Sequence, residues 1–169
     1  MGKSTIAASI LLAILALAGP ALGSQPYAQA EDPNAKAARA NPAFERQVVK
    51  IVNKKRVAHG CHKLKINNAV HRAARRHTNK QAVANELSHQ LPGEPWVGLR
   101  LTIAGYNNWT RVGEVVAEGY QTPKQVVQGW LDDIPHRRIL LDCHFKDTGV
   151  GYAEASDGTP YWTQDFGRK

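Results

Sequence analysis

The stretch Thr122 to Phe145, TPKQVVQGWLDDIPHRRILLDCHF, constrains the fold of this chain more than any other. Thr122 is placed as a helix N-cap and Pro123 at the first helical position, where its missing N–H costs nothing. Val126, Val127, Trp130 and Leu131 recur at helical spacing, so one stripe must pack inward. Pro135 predicts the end of that helix and pushes Ile134 toward an extended conformation. His136 and the Arg137–Arg138 pair follow, beside an indole that anchors the turn in the core. A histidine fixed at a helix exit can do acid–base chemistry, bind a metal, or pack as a hydrogen-bonded residue, and this stretch alone leaves all three open.

At 169 residues the chain is sized for one domain and a short extension. Residues 1–30 read as a signal peptide. Lys3 gives a positive start, Ile6 to Ala18 is apolar except for Ser9, and Gly19-Pro20 breaks the run. Small-residue sites at Ala21-Leu22-Gly23 and Ala28-Gln29-Ala30 predict cleavage after 23 or 30. The apolar run falls short of the ~20 residues of a comfortable membrane span, although an uncleaved anchor is the alternative. No later run is long enough to span a bilayer, so a secreted, extracellular mature protein is expected, with a flexible leader over 31–43. The net charge of +8 draws the chain toward anionic surfaces, or is simply a solvated basic face. Cys61 and Cys143 form an even pair, which in an exported chain predicts a disulfide closing a loop of about 80 residues and adding about 4 kcal/mol.

Order is expected from Asn41-Pro42, again an N-cap followed by Pro. Phe44, Val48, Ile51 and Val52 mark the buried stripe of a first helix, which His59-Gly60 ends. Asn67 or Asn68 caps a second helix with an inner stripe of Val70, Ala73, Ala74, His77 and Ala84. His71, Arg72, Arg75, Arg76 and Lys80 form a basic ridge on its outer side. His77 reads as a hydrogen-bonded core histidine. A short helix from about Trp96 to Ala104, closed by Gly105, comes next, and Asn108-Trp109-Thr110 is a glycosylation sequon that matters only in a eukaryote.

Arg111 to Gly119 is the first clear strand, with Glu114 in an otherwise apolar run. Such a carboxylate is paired, metal-bound or facing a cleft, because isolated buried charge is costly. Thr148–Ala155 and Pro160–Phe166, joined by Ser156-Asp157-Gly158, predict an antiparallel hairpin. The layout is α+β, helices covering a small antiparallel sheet.

In order, NKKRVAHGCHKL, an alanine-rich helix ending in LSH, GEVVAEG, GW…PHRRIL, TGVGYA and YWTQDFG together resemble the CAP superfamily, also called SCP or PR-1-like, in its short secreted bacterial form. The resemblance covers Phe44 to Gly167 and gives a CAP domain over 44–169. It implies a three-layer α-β-α sandwich with a cleft of acidic and histidine residues. His89 matches the family's first cleft histidine, Glu114 the glutamate of its Gly-Glu-Asn motif, and His136 the histidine of its bacterial Gly-His-Arg motif. Two imidazoles and a carboxylate are ordinary ligands for zinc or another divalent cation.

The chain departs from the family in three places. Val115 replaces the motif asparagine, which removes a polar side chain from the expected cleft rim. Asp133 is a loose match to the family's second glutamate. Tyr161 stands where the eukaryotic branch carries its second histidine.

The resemblance supports a monomeric extracellular binding module for a lipid, glycan or cell-wall ligand. The alternative is a metal-assisted or acid–base hydrolase using the same cleft. No nucleophile is identifiable for it, since GxSxG and HExxH are absent and Ser88 is only a sequence neighbour of His89. Nucleic acid is disfavoured as a partner, because aromatic residues are not interleaved with the charges of HRAARRH.

Overall fold

The computed structural model describes residues 40–169. The expected signal peptide, and the leader up to residue 39, lie outside them. Nine elements follow in order: α1 (Pro42–Ala58), β1 (Lys65–Ile66), α2 (Asn68–Ala84), α3 (Val97–Ile103), β2 (Arg111–Glu118), α4 (Pro123–Asp132), α5 (Ile134–Leu140), β3 (Asp147–Glu154) and β4 (Pro160–Arg168). The first helix begins at the Asn41 cap, whose side chain accepts from the Phe44 N–H, where the sequence leads one to expect it.

The strands form one sheet in the order β1-β3-β4-β2. β2, β4 and β3 are antiparallel as expected, whereas β1 joins β3 in parallel through only two residue pairs. The expected all-antiparallel sheet is therefore mixed. Two residues, both exposed, carry no alternation from which β1 could be read.

Side-chain alternation assigns the two faces. Val115, Ala117, Val150, Tyr152, Trp162 and Phe166 share one core with Val48 and Val52 of α1, Val126, Val127 and Trp130 of α4, and Leu140 of α5. Trp130 is 1 % exposed and its indole N–H donates to the Val116 carbonyl at 3.0 Å, so truncating it would cost about 3–5 kcal/mol. The opposite face carries α2, which comes so close that side chains at Gly149 or Gly151 would run into its backbone. The helices therefore enclose the sheet as the two outer layers of an α-β-α sandwich.

Two local expectations fail, and the basic ridge proves to be engaged with neighbouring elements. Pro135 does not simply end the tryptophan helix. Asp133, not Ile134, is the extended residue, and its carboxylate caps a new helix by accepting from the His136 N–H at 3.1 Å. Pro135 lies in the first turn of that helix, where proline is tolerated. Ala84 is exposed at the end of α2, and the buried stripe continues through Thr78, Gln81 and Ala82 instead. The basic ridge is not a free surface. Arg75 and His71 both reach Glu45, Arg72 donates to the Ala104 carbonyl at 2.8 Å, and Lys80 lies 3.6 Å from Glu94.

Glu45 itself, 1 % exposed, also accepts from the Tyr152 N–H at 3.3 Å. It thereby satisfies the edge of β3 beyond the short β1. Burial pushes its carboxyl up, but hydrogen bonds from His71 and Arg75 outweigh this and hold it below the usual range.

Cys61 and Cys143 form the expected disulfide, with Cα atoms 4.9 Å apart. Fully buried Arg56 organises the chain around it, donating to the carbonyls of His62, Leu140, Asp142 and Phe145.

Candidate functional site: a histidine–carboxylate cleft

Glu114 lies in the apolar run of β2, and strand alternation turns it to the face opposite the Val115 and Ala117 core. It is 5 % exposed but well partnered. His89, in the loop before α3, places Nδ1 at 2.9 Å from Oε1 of Glu114. Arg100, on the inner side of α3, pairs with the other oxygen, Oε2. The same guanidinium donates to the His89 carbonyl at 2.8 Å, so one side chain fixes both members of the pair. Burial raises the Glu114 carboxyl, but the His89 hydrogen bond and the charges of Arg100 and His77 win, and its pKa falls below the ordinary range.

Beneath the pair lies a layer of buried polar groups. His77, fully buried, places Nε2 at 2.9 Å from the Ser88 carbonyl and Nδ1 at 2.7 Å from Glu94. A carbonyl only accepts, so Nε2 carries a proton and donates. Glu94 also lies 3.4 Å from Arg100. Asp165 stands directly opposite Glu114 in the β2–β4 register and is fully buried, and its carboxyl, when protonated, can donate to the Glu114 carboxylate. Burial, reinforced by the neighbouring Glu114 charge, drives its pKa well above the ordinary range, so its protonated form is favoured.

The third expected site residue, His136, enters from the first turn of α5. Its ring centroid is 6.3 Å from that of His89, with the planes at 44°. Its Nδ1 lies 2.9 Å from Oδ2 of Asp133, the residue that caps the helix. Burial lowers the His136 pKa; Asp133 opposes that and His89 adds to it. Each cleft imidazole therefore has Nδ1 held by a carboxylate, Glu114 for His89 and Asp133 for His136, and Nε2 is the nitrogen left to act.

His89, Glu114 and His136 thus come together, and Asp133 joins them through His136. They do not form a closed set of three metal ligands: no such group of His, Cys, Asp or Glu occurs among the described residues. Val115 is fully buried in the core on the other face, so the change from asparagine does not alter the cleft rim. Tyr161 is buried and donates to Asn85 at 3.0 Å, contributing no cleft ligand. Ser88 is engaged within its own turn, its hydroxyl donating to the Gln90 carbonyl at 2.9 Å. Trp96 is 47 % exposed and packs edge-on against half-buried Trp109, so this pair forms rim rather than core.

A family model for the cysteine-rich secretory protein (CAP) family matches residues 49–166. The chain belongs to this family. Among curated relatives, the YkwD protein of Bacillus subtilis (strain 168) is 32 % identical over 126 residues, covering 73 % of this chain and 47 % of YkwD. The chain thus spans about half the length of that relative. An extracellular Bacillus anthracis protein containing an SCP domain superposes with a TM-score of 0.67 at 28 % identity, over 75 % of this chain and 41 % of the other. An outer surface protein of Borrelia burgdorferi shares the fold at a TM-score of 0.71 and 16 % identity, over 78 % and 98 % of the two chains. The sequence-level resemblance and the α+β sandwich are thereby confirmed. Among the described residues, no helix of this CAP domain is long and apolar enough to cross a membrane.

Proposed function

We propose that this CAP domain is an exported binding module whose cleft takes a divalent cation through Nε2 of His89 and Nε2 of His136. The observation that carries the reading is the pair of carboxylate–histidine couples. Glu114 lies 2.9 Å from Nδ1 of His89, Asp133 lies 2.9 Å from Nδ1 of His136, and the rings are 6.3 Å apart. A carboxylate on the far nitrogen fixes ring orientation and raises ligand basicity, as in metal sites whose second nitrogen is anchored. Glu114 and Asp133 then act behind the ligands, consistent with the absence of a three-ligand cluster among the described residues. A cation held by two imidazoles keeps coordination positions open for an oxygen of a further ligand.

Export is supported by the Lys3 start, the Ile6 to Ala18 run and the disulfide, which suits an oxidising compartment. Binding is favoured over hydrolysis by a serine nucleophile because Ser88, the hydroxyl beside His89 in sequence, donates to the Gln90 carbonyl instead. The reading is tested by following the imidazole resonances of metal-free protein during zinc addition. His89 and His136 should shift together, while exposed His59 and His62 stay put. Equal shifts in all four would overturn it.

A further inference from the structure

A second cluster of lysines without acidic partners lies away from the cleft and away from the α2 ridge. A groove of about 740 Å³ opens where the end of α1 meets β1 and the start of β3, lined by Val57, His62, Lys63, Lys65, Lys146 and Asp147 beside the disulfide. Lys63, Lys65 and Lys146 are all exposed, and none has an acidic partner among the described residues. The one carboxylate, Asp147, already accepts from the Tyr106 hydroxyl at 2.7 Å. Behind the wall, the guanidinium of buried Arg56 donates to carbonyls, including that of His62, with the Asp142 carboxylate close enough to offset part of its charge. What remains of that charge adds to the positive potential from a low-dielectric position, where screening is weak. By contrast, four of the five ridge side chains on α2 are used in internal contacts.

We infer that this groove binds a linear anionic polymer, with its lysines engaging successive phosphate groups. Its shape and charge direct the choice. Three flexible lysines along a concave wall suit repeated point charges, whereas bidentate recognition of one planar anion calls for arginine. No phenylalanine, tyrosine or tryptophan lines the groove, so bases and sugar faces find nothing to stack on. The groove shares no lining residue with the His89–Glu114–His136 cleft, so the inference stands independently of the metal reading.

The test is titration of the protein with inorganic polyphosphate at about 50 mM salt, repeated at about 200 mM, where affinity should fall about tenfold or more. The triple variant Lys63→Ala, Lys65→Ala, Lys146→Ala should bind at least about tenfold more weakly, while His89→Ala should bind normally. A charge-matched triple, Arg46→Ala, Arg76→Ala, Lys124→Ala, removes three exposed cations elsewhere and should retain most of the affinity. Equal losses in the two triples would reduce the effect to net charge and overturn the site. So would the absence of polyphosphate binding, or binding to phosphatidylglycerol vesicles alone.

Discussion

Arg100 pairs with Glu114 from beneath while holding the His89 carbonyl at 2.8 Å, so one buried side chain positions both the carboxylate and the imidazole it serves. Arg100 is 7 % exposed and Glu114 5 %. Removing one partner of such a pair leaves an uncompensated buried charge. Arg100→Ala should therefore lose about 3–5 kcal/mol in denaturant unfolding. Arg100→Lys, which keeps the charge but cannot span Glu114 and the His89 carbonyl with the same fork, should lose less stability yet broaden the His89 resonance. A stability change below about 1 kcal/mol for the alanine variant would show that Arg100 does not hold the cleft.

Asp165 predicts an unusual pH dependence. Its folded pKa is raised well above the ordinary 3.8, so the folded state holds this proton more tightly than the unfolded chain. The resulting stability is present below the unfolded pKa and is lost as pH rises through the folded one. Asp165→Asn mimics the neutral form and should escape that loss, becoming more stable than the parent as pH rises toward 7. Glu114 has the opposite sign. Its depressed pKa contributes stability above the ordinary 4.5 that disappears as pH falls, and both proteins should keep this acid limb. Urea unfolding across the acid-to-neutral range checks both limbs; a parent and variant of parallel pH dependence would contradict the assignment.

His136 should titrate below the ordinary histidine value of 6.5, because burial lowers it more than Asp133 raises it. Asp133→Asn removes the opposing charge and should lower it further. Since Asp133 also caps α5, an N-cap residue in its own right, asparagine should preserve much of the cap, whereas alanine should cost about 1 kcal/mol. An NMR titration of the ring protons reads the first effect and thermal unfolding the second. A His136 pKa that rises in Asp133→Asn would break the proposed couple.

These relationships were unequally legible in the sequence. The caps at Asn41, Asn67 and Thr122 and the hairpin turn are local chemistry, and the structure places them where the residues imply. The break after Trp130 was legible, but not its form: Asp133 can cap a new helix as readily as Pro135 can end an old one, and spacing does not choose. Glu114 and His89 came from motif order. Arg100, Glu94 and Asp165 did not, because a charged residue on the buried side of a short helix, strand or loop becomes visible only when its partner from another element arrives. Asp165 had one available signal, an acid inside the otherwise uncharged strand PYWTQDF. Val115 shows the converse: the motif suggests a rim position, yet strand alternation buries it on the opposite face.

The Cys61–Cys143 bridge closes a separation of 82 residues, and Arg56 holds the second cysteine's loop by its carbonyls. Reduction, or Cys61→Ser with Cys143→Ser, should cost about 4 kcal/mol. Arg56→Met should add to that loss by less than its own separate cost, because both act on residues 140–145. Full additivity in a double-variant cycle would mean that the two act independently.

The most direct test of the cleft is calorimetric zinc titration of metal-free protein, with His89→Ala and His136→Ala alongside. The account predicts one-to-one binding that each variant weakens by at least about tenfold while its fold is intact, and a loss of about 10–100-fold in Glu114→Gln through the His89 orientation. Zinc binding of unchanged affinity in both histidine variants, or none in the parent, would contradict it.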